Sequence, residues 1–243
     1  MAPNSAEGKV ALVTGGSGAL GGAIVRRLRR DGMAVAFTYR SGEDAARELA
    51  AGCGAEPFRA ELTDRGEVAA MVKGVLDRFG SIDVLVNNAG LTQVMPFALI
   101  EEEDWDAVLA SNLKSMFLTT REVVRGMIAR KSGTIVNIGS LAGHRLLEVP
   151  VHYATAKAGV TGFTLALAGE LARYKVRVNE VVPGLLEGGV GRMVPEREMA
   201  DYLRHCAAGR PGRMGEVAEA VAFLASDAAA YVNAQSLFVD GGI

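Results

Sequence analysis

The sequence predicts a single-domain α/β protein, built on a doubly wound parallel sheet with helices on both faces. Short apolar runs alternate along the chain with longer runs in which apolar residues recur at helical spacing, and this alternation is typical of parallel sheets. The first apolar run leads directly into a glycine-rich turn and then a helical pattern, between Thr14 and Gly32. Small and polar residues follow several apolar runs, at the strand ends where such sheets bind ligands.

Each predicted strand is a short apolar run bounded by turn or helix signals, such as the Thr63-Asp64 pair that favours a helix start. The predicted strands are Val10–Val13, Ala34–Tyr39, Glu56–Leu62, Ile82–Val86, Thr134–Ile138, Arg177–Val182 and Ser236–Val239. The predicted helices lie within Thr14–Gly32, at Glu43–Ala51, Asp64–Phe79, Glu101–Asn112 and Leu113–Arg130, from His152 onward, and at Glu196–Cys206 and Gly215–Leu224. We expect one domain over residues 1–243, since no repeat or linker interrupts the pattern.

Composition excludes several classes of function. The net charge is −2, from 26 basic and 28 acidic residues without a basic block, which argues against nucleic acid as a partner. Cys53 and Cys206 lack metal-type spacing, so we expect no metal and a reducing compartment. The sequence contains no apolar run of about 18 residues and no signal-peptide pattern at its start, so we expect a soluble cytoplasmic protein without a membrane partner.

The glycine-rich turn after the first strand predicts a Rossmann-type, dinucleotide-binding fold. Its glycines let backbone N–H groups approach a pyrophosphate, and the following helix N-terminus favours that negative charge. Glycines also mark ordinary tight turns, which is the alternative for this segment. The expected cofactor contacts here are Gly15, Ser17, Gly18, Leu20 and Gly21.

The end of the second strand indicates which dinucleotide is bound. An acidic residue there would suit NAD, whereas an arginine accommodates the 2′-phosphate of NADP. This strand ends in Arg40 and Ser41, and the next acid is Glu43, so we expect NADPH. The alternative is that Arg40 is a solvated surface charge.

Asn87-Asn88-Ala89-Gly90 closes the fourth strand. Amides and small residues at a strand end suit a wall against a flat ligand, although Asn and Gly also favour a turn.

A serine, a tyrosine and a lysine lie at and beyond the fifth strand. Ser140 follows the strand, and Tyr153 and Lys157 are four residues apart on a predicted helix, so they share one face. A neighbouring ammonium would lower the pKa of the tyrosine and prepare it for proton transfer, with Ser140 holding an oxygen beside it. The alternative is an ordinary surface pair.

At these residues the chain resembles the short-chain dehydrogenase/reductase superfamily, and within it the 3-oxoacyl-[acyl-carrier-protein] reductases. Thr14-Gly15 with Gly21 resembles the cofactor motif, and Asn87–Gly90 resembles the sheet-stabilising, cofactor-lining motif. Asn112, Ser140, Tyr153 and Lys157 match the catalytic tetrad in order and spacing, and Ala207–Gly242 is close to the C-terminal pattern of these reductases.

The resemblance implies a role for each tetrad residue. Tyr153 would donate a proton to the carbonyl oxygen, Ser140 would polarise that carbonyl, and Lys157 would lower the pKa of Tyr153 and bind the nicotinamide ribose. Asn112 would hold a water behind Lys157. Further implied cofactor contacts are Glu61, Leu62, Asn88, Ala89, Gly90, Tyr153, Lys157, Pro183 and Gly184. The resemblance also implies a flexible start over residues 1–8 and a substrate lid near residues 185–212.

Four positions depart from the family pattern. Ala19 stands where a glycine is expected in the first turn, Gly188 where a threonine would bind the nicotinamide amide, and Glu61 where aspartate is usual. Ala234 replaces a usual glycine near the C-terminus. The methyl of Ala19 would either crowd the pyrophosphate or change the turn, and Gly188 belongs to a glycine-rich lid that would order on binding. None of the four removes a member of the tetrad.

Several smaller signals leave alternatives open. A catalytic role for His144 or His152 is disfavoured, because the tetrad already supplies proton transfer. An apolar substrate pocket or ordinary packing would use Leu146, Leu147, Val149, Val94, Met95 and Met193. A rim for an acidic carrier protein, or merely a solvated face, would use Arg125, Arg130, Lys131, Arg173 and Lys175.

We therefore expect an NADPH-dependent reductase of a 3-oxoacyl thioester or related β-ketone, with an acyl carrier protein as a candidate partner. The alternatives are a dehydrogenase of another alcohol, sugar or polyketide-type ketone, and a non-catalytic cofactor-binding protein. Family members are commonly homotetramers with the helices Leu113–Arg130 and Val151–Ala172 packed across a two-fold axis, and we expect the same here.

Overall fold

Seven parallel strands form one sheet in the order β3-β2-β1-β4-β5-β6-β7. The computed structural model describes residues 7–189, 191, 194 and 196–243. The strands are β1 (Val10–Val13), β2 (Ala34–Tyr39), β3 (Glu56–Arg59), β4 (Val84–Asn87), β5 (Gly133–Ile138), β6 (Val176–Pro183) and β7 (Ser236–Val239). The order reverses between β1 and β4, which creates a crevice at the carboxyl ends of these strands.

Eight α-helices connect and flank the strands in the described part of the chain. They are α1 (Ala19–Arg30), α2 (Glu43–Cys53), α3 (Arg65–Phe79), α4 (Glu102–Leu109), α5 (Ser115–Arg130), α6 (Val151–Leu171), α7 (Glu196–His205) and α8 (Met214–Ala225). None of the helices in the described ranges is long and apolar enough to cross a membrane.

The two faces of the sheet carry separate apolar cores, because successive strand residues point to opposite sides. On one face Val13 packs with residues of α1, α2 and α8. On the other face Leu12 packs with residues of α3, α5 and α6. The predicted fold class, a doubly wound parallel sheet covered on both faces, is confirmed.

Three predicted boundaries were wrong in ways that have physical causes. β3 ends at Arg59 rather than at Leu62, so residues 61 and 62 belong to the loop at the strand end. β4 begins at Val84 rather than at Ile82, and the Asp83 carboxylate just before it accepts the Val10 backbone N–H (2.9 Å). The predicted break between residues 112 and 113 is instead a π-helical turn, Ala110–Lys114, that joins α4 to α5.

Candidate active site

A cleft of about 1000 Å³ lies beyond the carboxyl ends of the strands. Every residue that the sequence assigned to catalysis or cofactor binding lies on its wall: Gly15, Ser17, Gly18, Leu20, Gly21, Arg40, Ser41, Glu61, Leu62, Asn88, Ala89, Gly90, Asn112, Ser140, Tyr153, Lys157, Pro183 and Gly184. They come from several strand ends and from the helices that follow them, so only the folded sheet brings them together.

The glycine-rich turn is held against the end of β4. The Thr14 hydroxyl oxygen accepts the backbone N–H groups of Asn88 (2.9 Å) and Ala89 (3.0 Å). A Cβ atom on Gly21 would lie 2.2 Å from the Gly15 carbonyl oxygen, so the turn and the first helical residues approach more closely than a side chain allows.

The N-terminus of α1 opens into the cleft without a competing side chain. Gly18 is its N-cap and supplies no side-chain hydrogen bond, and the first turn contains no acidic residue. Its first N–H groups therefore have no intrahelical partner, and the helix dipole favours an anion there. This arrangement fits the pyrophosphate of a dinucleotide. The Ala19 side chain is exposed beside it, and a Cβ atom on Gly189 would lie 4.0 Å from the Ala19 Cβ.

Arg40 forms an ion pair with Glu61, with 3.6 Å between Nη1 and Oε2. Burial raises the pKa of Glu61, but the hydrogen bonds from Thr63 and the charge of Arg40 outweigh it, and the net pKa is lowered. The Thr63 backbone N–H and hydroxyl hold the same carboxylate at 3.0 and 2.8 Å. A phosphate at Arg40 would therefore have to share the guanidinium with a fixed carboxylate.

Ser140 and Tyr153 meet at the centre of the cleft. The Ser140 hydroxyl lies near the Tyr153 hydroxyl and acts on its pKa, and the Ser140 oxygen accepts the Ala142 N–H (3.2 Å). Burial raises the pKa of Tyr153, and the hydrogen bond from Ser140 opposes this only in part. The expectation that Lys157 lowers this pKa is not met, because burial dominates and the net pKa is raised. The Lys157 Nζ lies 5.8 Å from the centre of the tyrosine ring.

Lys157 is buried, with Nζ donating to the Ile138 carbonyl oxygen at the end of β5 (2.9 Å). Burial lowers the pKa of Lys157 to about 8, and the charge of Glu180 opposes the shift. An ammonium has three N–H donors, and the bond to Ile138 uses one of them. The remaining donors fit the hydroxyls of a nicotinamide ribose.

Asn112 lies in the π-helical turn between α4 and α5, a feature that is frequent at functional sites. Its Nδ2 donates to the carbonyl oxygens of Leu91 (2.7 Å) and Val108 (2.9 Å). Its buried Oδ1 has no protein partner. A buried acceptor normally has a hydrogen-bond partner, so this atom suits the ordered water that the family resemblance implies at Asn112.

The two asparagines at the end of β4 donate their amide nitrogens to other groups of the protein. Asn88 Nδ2 donates to the carbonyl oxygens of Thr14 (2.9 Å) and Gly15 (3.1 Å), which fixes the glycine-rich turn. Asn87 Nδ2 donates to Thr120 Oγ1 (3.0 Å) and Asn137 Oδ1 (2.9 Å), inside the sheet. Asn88, Ala89 and Gly90 lie on the cleft wall, whereas Asn87 has a structural position inside the sheet.

Apolar residues line the outer part of the cleft. Leu146, Leu147 and Val149 are on its wall, whereas Val94 and Met95, which the sequence also suggested, are not. Met193, another candidate, lies outside the described residues. The base of the predicted lid is anchored, since the Tyr202 hydroxyl accepts the Leu185 N–H (3.0 Å) and donates to the Asp240 carbonyl oxygen (3.1 Å).

Gly188, which stands where the family pattern has a threonine, has a backbone φ of +91°. Threonine rarely adopts this conformation, because its β-branch clashes with the backbone. The loop therefore follows a path at residue 188 that the usual side chain would not allow.

Neither suggested histidine lies on the cleft wall, but one belongs to a network that sequence analysis missed. His152 is buried, and its Nδ1 accepts the Tyr153 N–H (3.0 Å). His144 Nε2 lies 3.6 Å from the Oε1 of Glu180, a carboxylate with no exposed surface. The signal for Glu180 was present in the sequence, as one acid within the otherwise apolar run of β6. Among the described residues no group of three or more His, Cys, Asp or Glu side chains could hold a metal ion.

Comparison with known proteins identifies the class to which this fold and site belong. The sequence model of the family described as Enoyl-(Acyl carrier protein) reductase matches residues 16–243. The structure is similar to that of a short-chain dehydrogenase/reductase of Serratia marcescens, solved as a double mutant, with a TM-score of 0.91, 34% identity and 98% coverage of both chains. The chain belongs to the short-chain dehydrogenase/reductase family, and it is an NAD(P)H-dependent oxidoreductase.

Within that family the chain is similar to several named proteins. It is 39% identical over 238 residues to the 3-oxoacyl-[acyl-carrier-protein] reductase of Vibrio cholerae, covering 98% of both chains. It is 40% identical over 239 residues to nodulation protein G of Rhizobium meliloti, covering 97% of both. The crystal structure of levodione reductase is also similar, with a TM-score of 0.89, 32% identity and 97% coverage of both chains.

Proposed function

We propose that the protein reduces the ketone of a 3-oxoacyl thioester to the 3-hydroxy product with NADPH. One observation carries this proposal: Ser140, Tyr153 and Lys157 converge in a cleft that also contains the glycine-rich turn. The identity of 39% to a reductase named for 3-oxoacyl substrates supports the choice of substrate.

Ser140 and Tyr153 would bind the substrate ketone through its oxygen. Charge grows on this oxygen during reduction, and two hydroxyl groups already placed beside it stabilise that charge without reorganisation. Because the pKa of Tyr153 is raised by burial, the phenol stays protonated at neutral pH and has a proton to give. The bound nicotinamide supplies the hydride for the carbonyl carbon.

Lys157 and Asn112 would act behind Tyr153. The ammonium places positive charge near the phenol as it loses its proton, and so favours the phenolate that forms. A water on Asn112 Oδ1 would return a proton from solvent towards Lys157 and Tyr153. Each turnover then consumes one hydride and one proton, and it leaves the residues in their starting state.

Arg40 supports NADPH as the cofactor, because an arginine at the end of β2 accommodates the 2′-phosphate. The apolar outer cleft at Leu146, Leu147 and Val149 suits an acyl chain. We also propose that the substrate arrives on an acyl carrier protein in the cytoplasm.

We propose a homotetramer as the assembly. α6 is apolar around most of its circumference, and a helix of this kind is normally covered on several sides. Phe117 on α5 and Leu165 on α6 are about half exposed in the single chain, at 48% and 51%. Packing of these helices against a second copy would cover both. Light scattering at micromolar concentration tests this proposal, and a monomer would contradict it.

The substrate is tested with a panel of β-ketones. We expect NADPH oxidation with acetoacetyl thioesters bound to acyl carrier protein and to coenzyme A. The similarity to levodione reductase makes levodione the second candidate. Turnover of levodione without turnover of any thioester would replace the acyl assignment and keep the assignment as an oxidoreductase.

A further inference from the structure

Glu180 is a buried carboxylate that the proposed chemistry does not use. It lies in β6 with no exposed surface, between β5 and β7. Its Oε2 accepts the Ser236 hydroxyl (2.7 Å), and its Oε1 accepts the Thr161 hydroxyl (3.3 Å). Burying a carboxylate is costly even when it is hydrogen-bonded, so its presence in the sheet indicates a role beyond packing.

The sequence makes room for this carboxylate directly beside the candidate active site. A Cβ atom on Gly139 would lie 2.0 Å from Glu180 Oε1, so a side chain at residue 139 would force the carboxylate to move. Gly139 separates two elements of the site: Ile138, whose carbonyl oxygen accepts Lys157 Nζ (2.9 Å), and Ser140. Glu180 therefore lies against the short backbone segment that contains Ser140 and whose Ile138 carbonyl oxygen accepts Lys157 Nζ.

Helix α6 carries both Lys157 and a residue that contacts Glu180. Thr161 is four residues after Lys157, so the hydroxyl that binds Glu180 and the buried ammonium occupy the same face of the helix. The titratable groups facing Glu180 are Lys157 on α6 and His144 after β5, whose Nε2 is 3.6 Å away. Those facing Lys157 are Glu180 and Tyr153.

We propose that Glu180 is a positioning residue of the ketone reduction. Its buried carboxylate keeps the Lys157 ammonium charged and fixes the backbone from Ile138, which binds Lys157, to Ser140. The role rests on the proposed function, because Lys157 is where Glu180 meets the chemistry. This role also gives a reason for a charged residue, Glu180, inside the central strand β6. Burial lowers the pKa of Lys157 to about 8, and the negative charge of Glu180 opposes this shift.

A titration without cofactor or substrate tests the inference directly. Lysine labelled with ¹³C at Cε gives a resonance for Lys157, which is assigned by its loss in Lys157→Met. We expect a midpoint near 8 in the wild type. The isosteric, uncharged Glu180→Gln variant should lower it by about half a pH unit or more, as expected when a nearby opposite charge is removed. If that variant does not fold, Glu180→Thr offers an uncharged side chain suited to a strand.

Two variants serve as matched controls. Ser236→Ala removes a hydrogen bond from the carboxylate but leaves its charge, so the Lys157 midpoint should stay close to that of the wild type. His144→Asn removes the other titratable group that faces Glu180, and it should likewise leave the midpoint in place. An unmoved midpoint in the folded, uncharged Glu180 variant would overturn the inference, and so would an equal shift in His144→Asn.

Measuring kcat of Glu180→Gln at two pH values distinguishes a positioning role of Glu180 from a general loss of protein stability. At pH 6.5, where Lys157 is charged in both proteins, kcat of Glu180→Gln should stay within about twofold of the wild type. At pH 8.5 it should fall at least about two- to threefold, as a half-unit shift of the midpoint requires, with little change in the KM for the ketone. A kcat loss that is equal at both pH values would overturn the inference. If the titration shifts as expected but no β-ketone is reduced, the substrate proposal fails while the link between Glu180 and Lys157 stands.

Discussion

Gly90 lies so close to Asn112 that a Cβ atom on residue 90 would stand 2.5 Å from Asn112 Oδ1 and 3.8 Å from Lys157 Nζ. The glycine that closes the β4 motif thus leaves space for the polar atoms of the π-helical turn. This contact joins two sequence motifs that are 22 residues apart, and it leaves little room for a side chain at residue 90.

We predict that Gly90→Ala displaces Asn112 and lowers kcat at least about tenfold, because small displacements of positioned groups cost one to two orders of magnitude. Gly52→Ala is the control, since nothing lies within 4 Å of a Cβ there. That substitution, inside an exposed part of α2, should leave kcat unchanged. Steady-state kinetics of the two variants check the prediction, and full activity in a folded Gly90→Ala protein would contradict it.

The pKa of Lys157 predicts a pH dependence of cofactor capture. Burial lowers this pKa to about 8 with Glu180 opposing, so the ammonium is charged below that pH and neutral above it. We expect kcat/KM for NADPH, which reports the free enzyme, to decline as pH rises through about 8. A profile between pH 6 and 10 checks this, and a flat profile across that range would show that the charge of Lys157 is not needed.

The same group should affect the stability of the cofactor-free protein in the opposite sense. Between pH about 8 and 10.5, its folded and ordinary pKa values, the unfolded chain binds more protons at this lysine than the folded protein does. The contribution of Lys157 to the free energy of unfolding therefore rises with pH across this window, as its burial penalty disappears. Comparing the pH dependence of urea unfolding for the wild type and Lys157→Met isolates the effect. A difference that is constant with pH would contradict it.

Ala234 should be a destabilising residue. Its φ is +58°, a left-handed conformation that costs an alanine about 1–2 kcal/mol and that glycine adopts readily. We predict that Ala234→Gly raises the free energy of unfolding by about 1 kcal/mol. Ala70→Gly, at an exposed position inside α3, should lower it by about 1 kcal/mol. Thermal unfolding distinguishes the two signs, and a loss of stability in Ala234→Gly would contradict the prediction.

Arg40 and Glu61 predict how the cofactor is selected. Arg40→Ala should weaken NADPH binding about tenfold and leave NADH nearly unchanged, because only the 2′-phosphate needs the guanidinium. Glu61→Gln should strengthen NADPH binding a few-fold, since it removes the carboxylate 3.6 Å from Arg40. Fluorescence titration with both nucleotides measures these changes. Equal losses for NADPH and NADH in Arg40→Ala would show that the arginine does not read the phosphate.

Much of this architecture follows from local sequence, since apolar runs and glycine turns determine where strands end. Gly15, Ser140 and Gly184 could be placed at one edge of a sheet because parallel strands carry their carboxyl ends together. The helix spacing of Tyr153 and Lys157 was likewise enough to put both on one face.

What the sequence could not supply were properties that depend on burial and on contacts between distant residues. The pKa of Tyr153 moves in the direction set by burial rather than by the neighbouring lysine. The π-helical turn at Asn112 has no local signature that separates it from a helix break. The partnership of Gly139 with Glu180 joins residues 41 positions apart, and it becomes visible only when β5 and β6 are paired.

The most direct test of the account is the rate of NADPH oxidation with an acetoacetyl thioester, measured for the wild type and for Tyr153→Phe. The phenylalanine keeps the ring and removes the hydroxyl that would give the proton. We expect clear turnover in the wild type and a loss of kcat of at least about a hundredfold in Tyr153→Phe, with NADPH still bound. A variant that reduces the thioester at the wild-type rate would contradict the assignment of Tyr153 as the proton donor.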